Sequence, residues 1–291
     1  MAEAVLYDYT APEIALPPTQ DELPCDDGVP METSRHKHQM DLLIYPLRPW
    51  LKQHTEDGYV GGNMFLYFSL AQVRNQDFRG PDVFVVLGVP YRERKSWVVW
   101  EEGKSPDIVI ELLSDKTAAR DKGEKKRIYQ DQVKVAEYYW FDPFDPDDWA
   151  GFDLRAGRYE PIVPDDQGRL LSKRLGLALV RWYGVYEDAE TTWLRWATLD
   201  GELLPTPQEA LELERQRAET ERQRAETERQ RAETERQQTE AERQRAEAEA
   251  QRAEAEQQRA DAEAQRATAA EGEVTRLRAL LAEAGGVPNR Q

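Results

Sequence analysis

Three side chains in this sequence are of types and at places that could do chemistry together. Glu111 interrupts an apolar, β-branched run, Ile108 to Leu113, and Asp82 stands at the start of a second apolar run, Pro81 to Val89. A carboxylate inside a strand core is costly unless it is paired or bound to a metal. Two carboxylates at one point of a sheet repel each other unless a cation sits between them or one takes up a proton. A hard divalent ion such as Mg²⁺, with Mn²⁺ as a substitute, prefers oxygen ligands and usually keeps several waters. The metal ligands expected are therefore Asp82 and Glu111. The third member comes from the next segment of helical spacing, Asp121 to Gln132, where Lys125 and Tyr129 lie four apart on one face.

The elements that must position these residues can be read on either side of them. Alternation along the strand at Ile108 to Leu113 puts Glu111 on the face with Val109 and Leu113, opposite Ile108, Ile110 and Leu112. A charged, tryptophan-containing loop, Pro90 to Lys104, separates this strand from the one at Pro81. Antiparallel pairing about that loop brings the start of the first strand, with Asp82, to the later half of the second, with Glu111. Asp107 opens the second strand and is a further candidate ligand, with a strand-end turn as its other reading.

Upstream, the spacing of Met40, Leu43, Ile44 and Leu47 predicts a helix from Ser34 to Leu51, with Ser34 as its cap. Tyr59 to Ser69 reads as a strand opened by Gly61-Gly62, and paired glycines in a strand mark a bulge or a close backbone approach. Trp97 to Trp100 reads as a short extra strand whose aromatics either stack on bases or pack. Downstream come a strand at Ala136 to Asp142 and a hairpin over Gly151 to Val163, turning at Ala156-Gly157. A short amphipathic piece at Leu170 to Leu179 and closing strands at Val180 to Thr198, with Trp182, Trp193 and Trp196, complete the order. Helix, strands, helix, strand and hairpin make an α+β domain with a sheet of mixed direction.

These pieces taken together, Gly80-Pro81-Asp82 before a strand, PDIVIELLS, GEKKRIYQ, EYYWFDP and the upstream GYVGGNMFLYF, resemble the Uma restriction-endonuclease family of the PD-(D/E)XK nuclease superfamily. The resemblance covers roughly Leu23 to Pro207. It implies a restriction-endonuclease-like mixed sheet with flanking helices, and a metal-dependent endonuclease acting on DNA with Asp82, Glu111 and Lys125 as catalytic residues. In the superfamily the lysine sits two residues after the strand acid; that place here is Leu113, and the family pattern moves the lysine to the helix, at Lys125. The family's first helix carries a histidine near its start, which matches His36, and superfamily first helices often supply an acid near the metal, which points to Glu32. An RNA or repair nuclease is a neighbouring reading. A nuclease fold without activity, serving as a binding or oligomerisation module, is the alternative from another class.

Composition narrows the field further. The chain has 291 residues and a formal net charge of −17, which argues mildly against tight nonspecific DNA binding. Basic residues nevertheless gather near the site, among them Arg92, Arg94, Lys116, Arg120, Lys122 and Lys126. One cysteine, Cys25, rules out an internal disulfide and suits a reducing cytoplasm. No secretory signal or membrane-length apolar stretch is visible, so a cytoplasmic protein without a membrane partner is expected. No GxxxxGK[ST], GxGxxG or G-x-S-x-G occurs, which argues against nucleotide-driven motion and an elbow-type serine hydrolase.

From about Thr206 the composition changes. ERQRAET repeats with a seven-residue period from Glu214, and its residues are good helix formers with Glu–Arg pairs at i,i+3 and i,i+4. The expected organisation is an extended arm over 1–30, the nuclease-like domain over 31–205, a long charged helix or weak coiled coil over 206–285, and a tail over 286–291. The helix could join copies into a homo-oligomer through Val274, Leu277, Leu280 and Leu281. A surface of Glu, Arg, Gln and Ala has nothing to bury, so removal of everything after Pro207 is expected to leave the domain folded.

Overall fold

The structure, a computed structural model, describes residues 16–26, 28, 33–74 and 80–284. In chain order its first elements are helices α1 (Ser34–Ile44) and α2 (Leu47–His54), strands β1 (Gly58–Gly61) and β2 (Leu66–Tyr67), and helix α3 (Leu70–Arg74). Then come β3 (Val83–Leu87), β4 (Trp97–Val98), α4 (Val99–Glu102) and β5 (Ile108–Leu112). A composite helix over 118–133 leads to β6 (Glu137–Phe141), and the hairpin β7 (Trp149–Arg155) and β8 (Arg158–Pro161) follows. The domain closes with β9 (Leu170–Ser172), β10 (Leu177–Tyr186) and β11 (Ala189–Thr198), before a C-terminal helix, Pro207–Ala284.

The main sheet has six strands in the order β1-β3-β5-β6-β7-β8. β3 pairs antiparallel with β5, Val83 opposite Ile110, and β5 pairs parallel with β6. A parallel pair needs a crossover, and the composite helix supplies it. That connection lays the helix over one face of β5. Ile108, Ile110 and Leu112 point the other way, into a core shared with Met40, Leu43, Leu47, Leu194 and Trp196. Val109 joins Tyr129, Val133 and Tyr138 on the helix side. The alternation expected for β5 is thus the one found, and the α+β mixed-sheet class holds.

Local chemistry redraws several boundaries. The helix expected over Ser34 to Leu51 is two, because Pro46 lacks an N–H and clashes with the preceding turn. Its cap is Thr33 rather than Ser34: the Thr33 side chain accepts from the His36 N–H. The strand expected over Tyr59 to Ser69 breaks after Gly61, where Asn63 takes a left-handed φ of 48°. Only Trp97 and Val98 are strand in the Trp97 to Trp100 segment. The piece at Leu170 to Leu179 is β9, a turn and the start of β10. The Ala156-Gly157 turn is as expected, with φ of 47° and 80°. No helix among the described residues is long and apolar enough to cross a membrane.

The chain divides into two compact units, residues 1–212 and 213–291. The first turn of the C-terminal helix therefore belongs with the first unit, and its bonds show why. Thr206 and Glu209 form a capping box: the Glu209 carboxylate takes the Thr206 N–H at 2.8 Å, and the Thr206 hydroxyl takes the Glu209 N–H at 3.2 Å. Glu209 also receives two bonds from Arg195, at 2.6 and 3.0 Å. Arg195 is 1% exposed, lies 4.7 Å from the Trp182 ring and donates to the Leu204 carbonyl. So the expectation that nothing after Pro207 bears on the domain fails at Glu209. A chain ending after Glu212 should melt within a degree or two of the full chain, whereas one ending after Pro207 strands the Arg195 guanidinium. That loss is about 1–3 kcal/mol, or roughly 2–10 °C by thermal circular dichroism. Equal melting temperatures for the two truncations would remove Glu209 from the domain.

Candidate active site

Asp82 sits one residue before β3, so the register that puts Val83 opposite Ile110 brings Asp82 level with Glu111. Because the β3 ladder stops at Val83, the Leu112 N–H has no strand partner on that side. The Asp82 carboxylate takes it at 2.7 Å. Behind Asp82 the backbone passes very close to Gly62: a Cβ on Gly62 would lie 2.1 Å from the Asp82 carbonyl oxygen. The next N–H, of Asn63, donates to that oxygen at 3.2 Å. The glycine pair is therefore a close approach of backbone to backbone, and it seats Asp82.

Glu111 is fully buried. The Tyr129 hydroxyl donates to one of its oxygens at 2.8 Å and the Lys125 ammonium to the other at 3.1 Å. The Asp82 carboxyl lies beside Glu111 and adds to its electrostatic load. Lys125 reaches a third carboxylate, with Asp121 Oδ1 2.7 Å from its Nζ. Asp121 is 1% exposed, and the Tyr138 hydroxyl holds its carbonyl oxygen at 2.9 Å. Though near the ammonium, Asp121 Oδ1 has no aligned hydrogen-bond donor.

Asp121, Lys125 and Tyr129 lie four apart, and the helix carrying them is irregular: Asp121–Lys125 and Tyr129–Val133 are π-turns separated by an α-turn. In a regular α-helix, residues four apart drift about 40° per step round the axis. A π-turn is wider, closing its bonds at i→i+5, and takes that drift back. Lys125 and Tyr129 thus stay over Glu111, with Asp121 against the ammonium, across nine residues.

The electrostatics follow from one ammonium and three carboxyls, Glu111 and Asp121 buried and Asp82 half-buried. Burial pushes the Glu111 carboxyl up to about 8 against the pull of Lys125, with Asp82 and Asp121 adding to the rise. Burial likewise raises Asp82 to about 6, opposed by Lys125 and the Leu112 N–H. Burial works against the Lys125 charge, but Glu111, Asp121 and Asp82 outweigh it and its pKa is raised. The cluster is short of positive charge, and its oxygen donors are of the kind a hard divalent ion takes. Among the described residues no three His, Cys, Asp or Glu side chains form a ready metal cage. Two carboxylates with waters completing the shell fit a Mg²⁺ ion, which seldom occupies an all-protein cage.

Other expected residues are placed elsewhere. His36 is 2% exposed, with Nε2 3.0 Å from the Leu113 carbonyl oxygen and Nδ1 2.9 Å from the Thr33 hydroxyl, so it ties α1 to the end of β5. Asp107 accepts the Leu87 N–H at 2.8 Å and pairs with Lys104 at 3.0 Å, a strand-end role away from Glu111. Glu32 lies outside the described residues. Trp97 is fully buried and donates to the Lys104 carbonyl, while Trp100 donates to the Pro18 carbonyl; both pack. Arg94 is buried against Glu102 and Lys122 pairs with Asp148, whereas Lys116 and Arg127 are exposed. Lys126 turns away from Glu111 and lies 3.2 Å from the Phe152 ring centroid. The sequence reading missed Asp121 and placed Tyr129 only as the residue four from Lys125 on the same face; the i, i+4, i+8 series Asp-Lys-Tyr was the signal that could have found the role of both.

The chain matches the model of the Uma2 family, described as putative restriction endonuclease, over residues 26–185, more than half of its length. No curated protein matches it.

Two outcomes test this geometry. Gly62→Ala should displace Asp82 and weaken Mn²⁺ binding by calorimetry, because the added methyl meets main chain that cannot yield; unchanged affinity would separate Gly62 from the site. The second concerns pH. Both acids hold a proton more tightly folded than unfolded, so their contribution to stability is fully present below about pH 4 and is lost as pH rises through about 8. Chelated protein should therefore melt at a lower temperature at pH 8 than at pH 5, and Glu111→Gln should flatten that slope. Identical slopes in both proteins would mean that Glu111 is not protonated in the folded state.

Proposed function

This chain belongs to the Uma2 family, and from that premise we propose that it is a metal-dependent endonuclease hydrolysing DNA phosphodiester bonds. The observation that carries the reading is the cluster of half-buried Asp82 and Lys125 around the fully buried Glu111 at one end of β5. Unlike the buried Glu137, which Ser172, Tyr139 and the Arg174 N–H satisfy, Glu111 shares one ammonium with two further carboxyls, an arrangement a nuclease uses to hold a cation. Asp82 and Glu111 would hold Mg²⁺, which when bound polarises a phosphodiester and lowers the pKa of an attacking water.

The remaining work falls to the chain's own side chains. Tyr129 fixes one oxygen of Glu111, which leaves the other to Lys125. The Leu112 N–H fixes one oxygen of Asp82 in the same way. With both acids oriented, Lys125 orients the attacking water or stabilises charge developing on the phosphate, the role that the family resemblance assigns to the helix lysine. The strand position two residues after Glu111, Leu113, is fully buried. Asp121 keeps the ammonium at the end of its flexible stem.

Supercoiled plasmid incubated with Mg²⁺, Mn²⁺ or EDTA tests the reading. Nicking should require the metal and vanish in Asp82→Asn and Glu111→Gln. Lys125→Ala should lower the rate by about 10²- to 10³-fold, and Lys126→Ala, which faces the other way, by far less. Metal-dependent nicking that survives in either acid variant would take that residue out of the site, and a larger loss in Lys126→Ala would contradict the role given to Lys125.

A further inference from the structure

The C-terminal helix is exposed along its described length, and its heptads can be assigned from the sequence. Taking the recurring Ala218, Ala225 and Ala232 as a positions makes Glu221 and Glu228 the d positions. In that frame Arg217 at g is followed five residues on by Arg222 at e, and Arg224 by Arg229. In a parallel pair, g of one helix faces e of the next heptad on the other. This part of the helix would therefore set arginine against arginine, with glutamate in the seam, and repels a second copy.

The frame runs unbroken to the other end, and there its content inverts. The a and d positions become Ala267, Ala270, Val274, Leu277 and Leu281. The facing g and e positions become Arg266 with Glu271, then Glu273 with Arg278, opposite charges in both cases. Val274, Leu277 and Leu281 are 47%, 51% and 72% exposed. A β-branched residue at a with leucine at d is the combination that favours two parallel strands.

We propose that a second copy of this chain docks in parallel along residues 266–281, forming a two-stranded coiled coil confined to that end of the helix. The apolar seam supplies the attraction and the two g–e pairs set the partner and the register. Glutamate at every d position from Glu221 to Glu263, with arginine against arginine as far as Arg236, limits how far the pairing spreads.

Sedimentation equilibrium of the full chain tests this. The mass should rise with concentration toward twice 33.6 kDa. Leu277→Glu should weaken association about tenfold or more and leave the far-ultraviolet helical signal in place. Glu273→Arg should weaken it too, and adding Arg278→Glu should restore it. Residues 273 and 278 are about 140° apart round one helix and do not meet within it, so the rescue reports a contact between helices. In a Cys25→Ser background, Leu277→Cys should crosslink to its own copy on oxidation, as a parallel d position requires. A full chain that stays monomeric, a dimer indifferent to Leu277→Glu, or a dimer of the Leu277→Cys variant that fails to crosslink would overturn the proposal.

Discussion

Glu111 has no access to water, so its charge has to be answered by neighbours or removed by a proton. The neighbours that answer it are few, the Lys125 ammonium and the Tyr129 hydroxyl, while the adjacent Asp82 carboxyl adds to the load. An unpaired buried charge would cost several kcal/mol, which is enough to decide the fate of a domain whose net stability is of order 10 kcal/mol. The surrounding architecture meets that demand. The parallel β5–β6 pair calls for a crossover, the crossover helix covers the face on which Glu111 lies, and its two π-turns keep Lys125 and Tyr129 over the carboxylate. On the other side, the antiparallel β3 delivers Asp82 at the end of its ladder, with Gly62 making room behind it.

The same constraint leaves the cluster unfinished. Lys125 is shared between Glu111 and Asp121, and Asp82 has only hydrogen bonds. One ammonium among three carboxyls means that protons, a cation or both must make up the difference. Among the candidate acids, this sets Asp82 and Glu111 apart from Asp107, whose charge Lys104 already answers, and from the well-satisfied buried Glu137, which accepts from Ser172, Tyr139 and the Arg174 N–H.

Much of this was legible in the sequence. A single acid in each of two apolar runs, joined by one loop, is enough to place Asp82 beside Glu111 once the strands are taken as antiparallel. The glycine pair announced a close approach, though not that Asp82 was what it approached. Other features depend on information that spacing does not carry. A π-turn has no composition of its own, so the alignment of Asp121 with Lys125 and Tyr129 was hidden by an α-helical frame. The capping role of Thr33 is tied to the His36 ring, which Thr33 and the Leu113 carbonyl hold between them, and the Arg195–Glu209 pair joins residues whose types look like ordinary surface charge. The arm's low apolar content was read correctly along its shaft, and only its first turn, seated on a buried arginine, escaped that rule.

The central claim is that the protonated carboxyls of this cluster give way to a divalent cation. Mn²⁺ titration calorimetry near neutral pH, repeated in buffers of different ionisation enthalpy, measures this directly, since metal binding at such a site must expel protons. The wild-type chain should bind Mn²⁺ with a heat that changes from buffer to buffer, corresponding to about one proton released per ion, and Glu111→Gln should abolish that release. Mn²⁺ binding with no proton release, or with the same release in Glu111→Gln, would contradict the account.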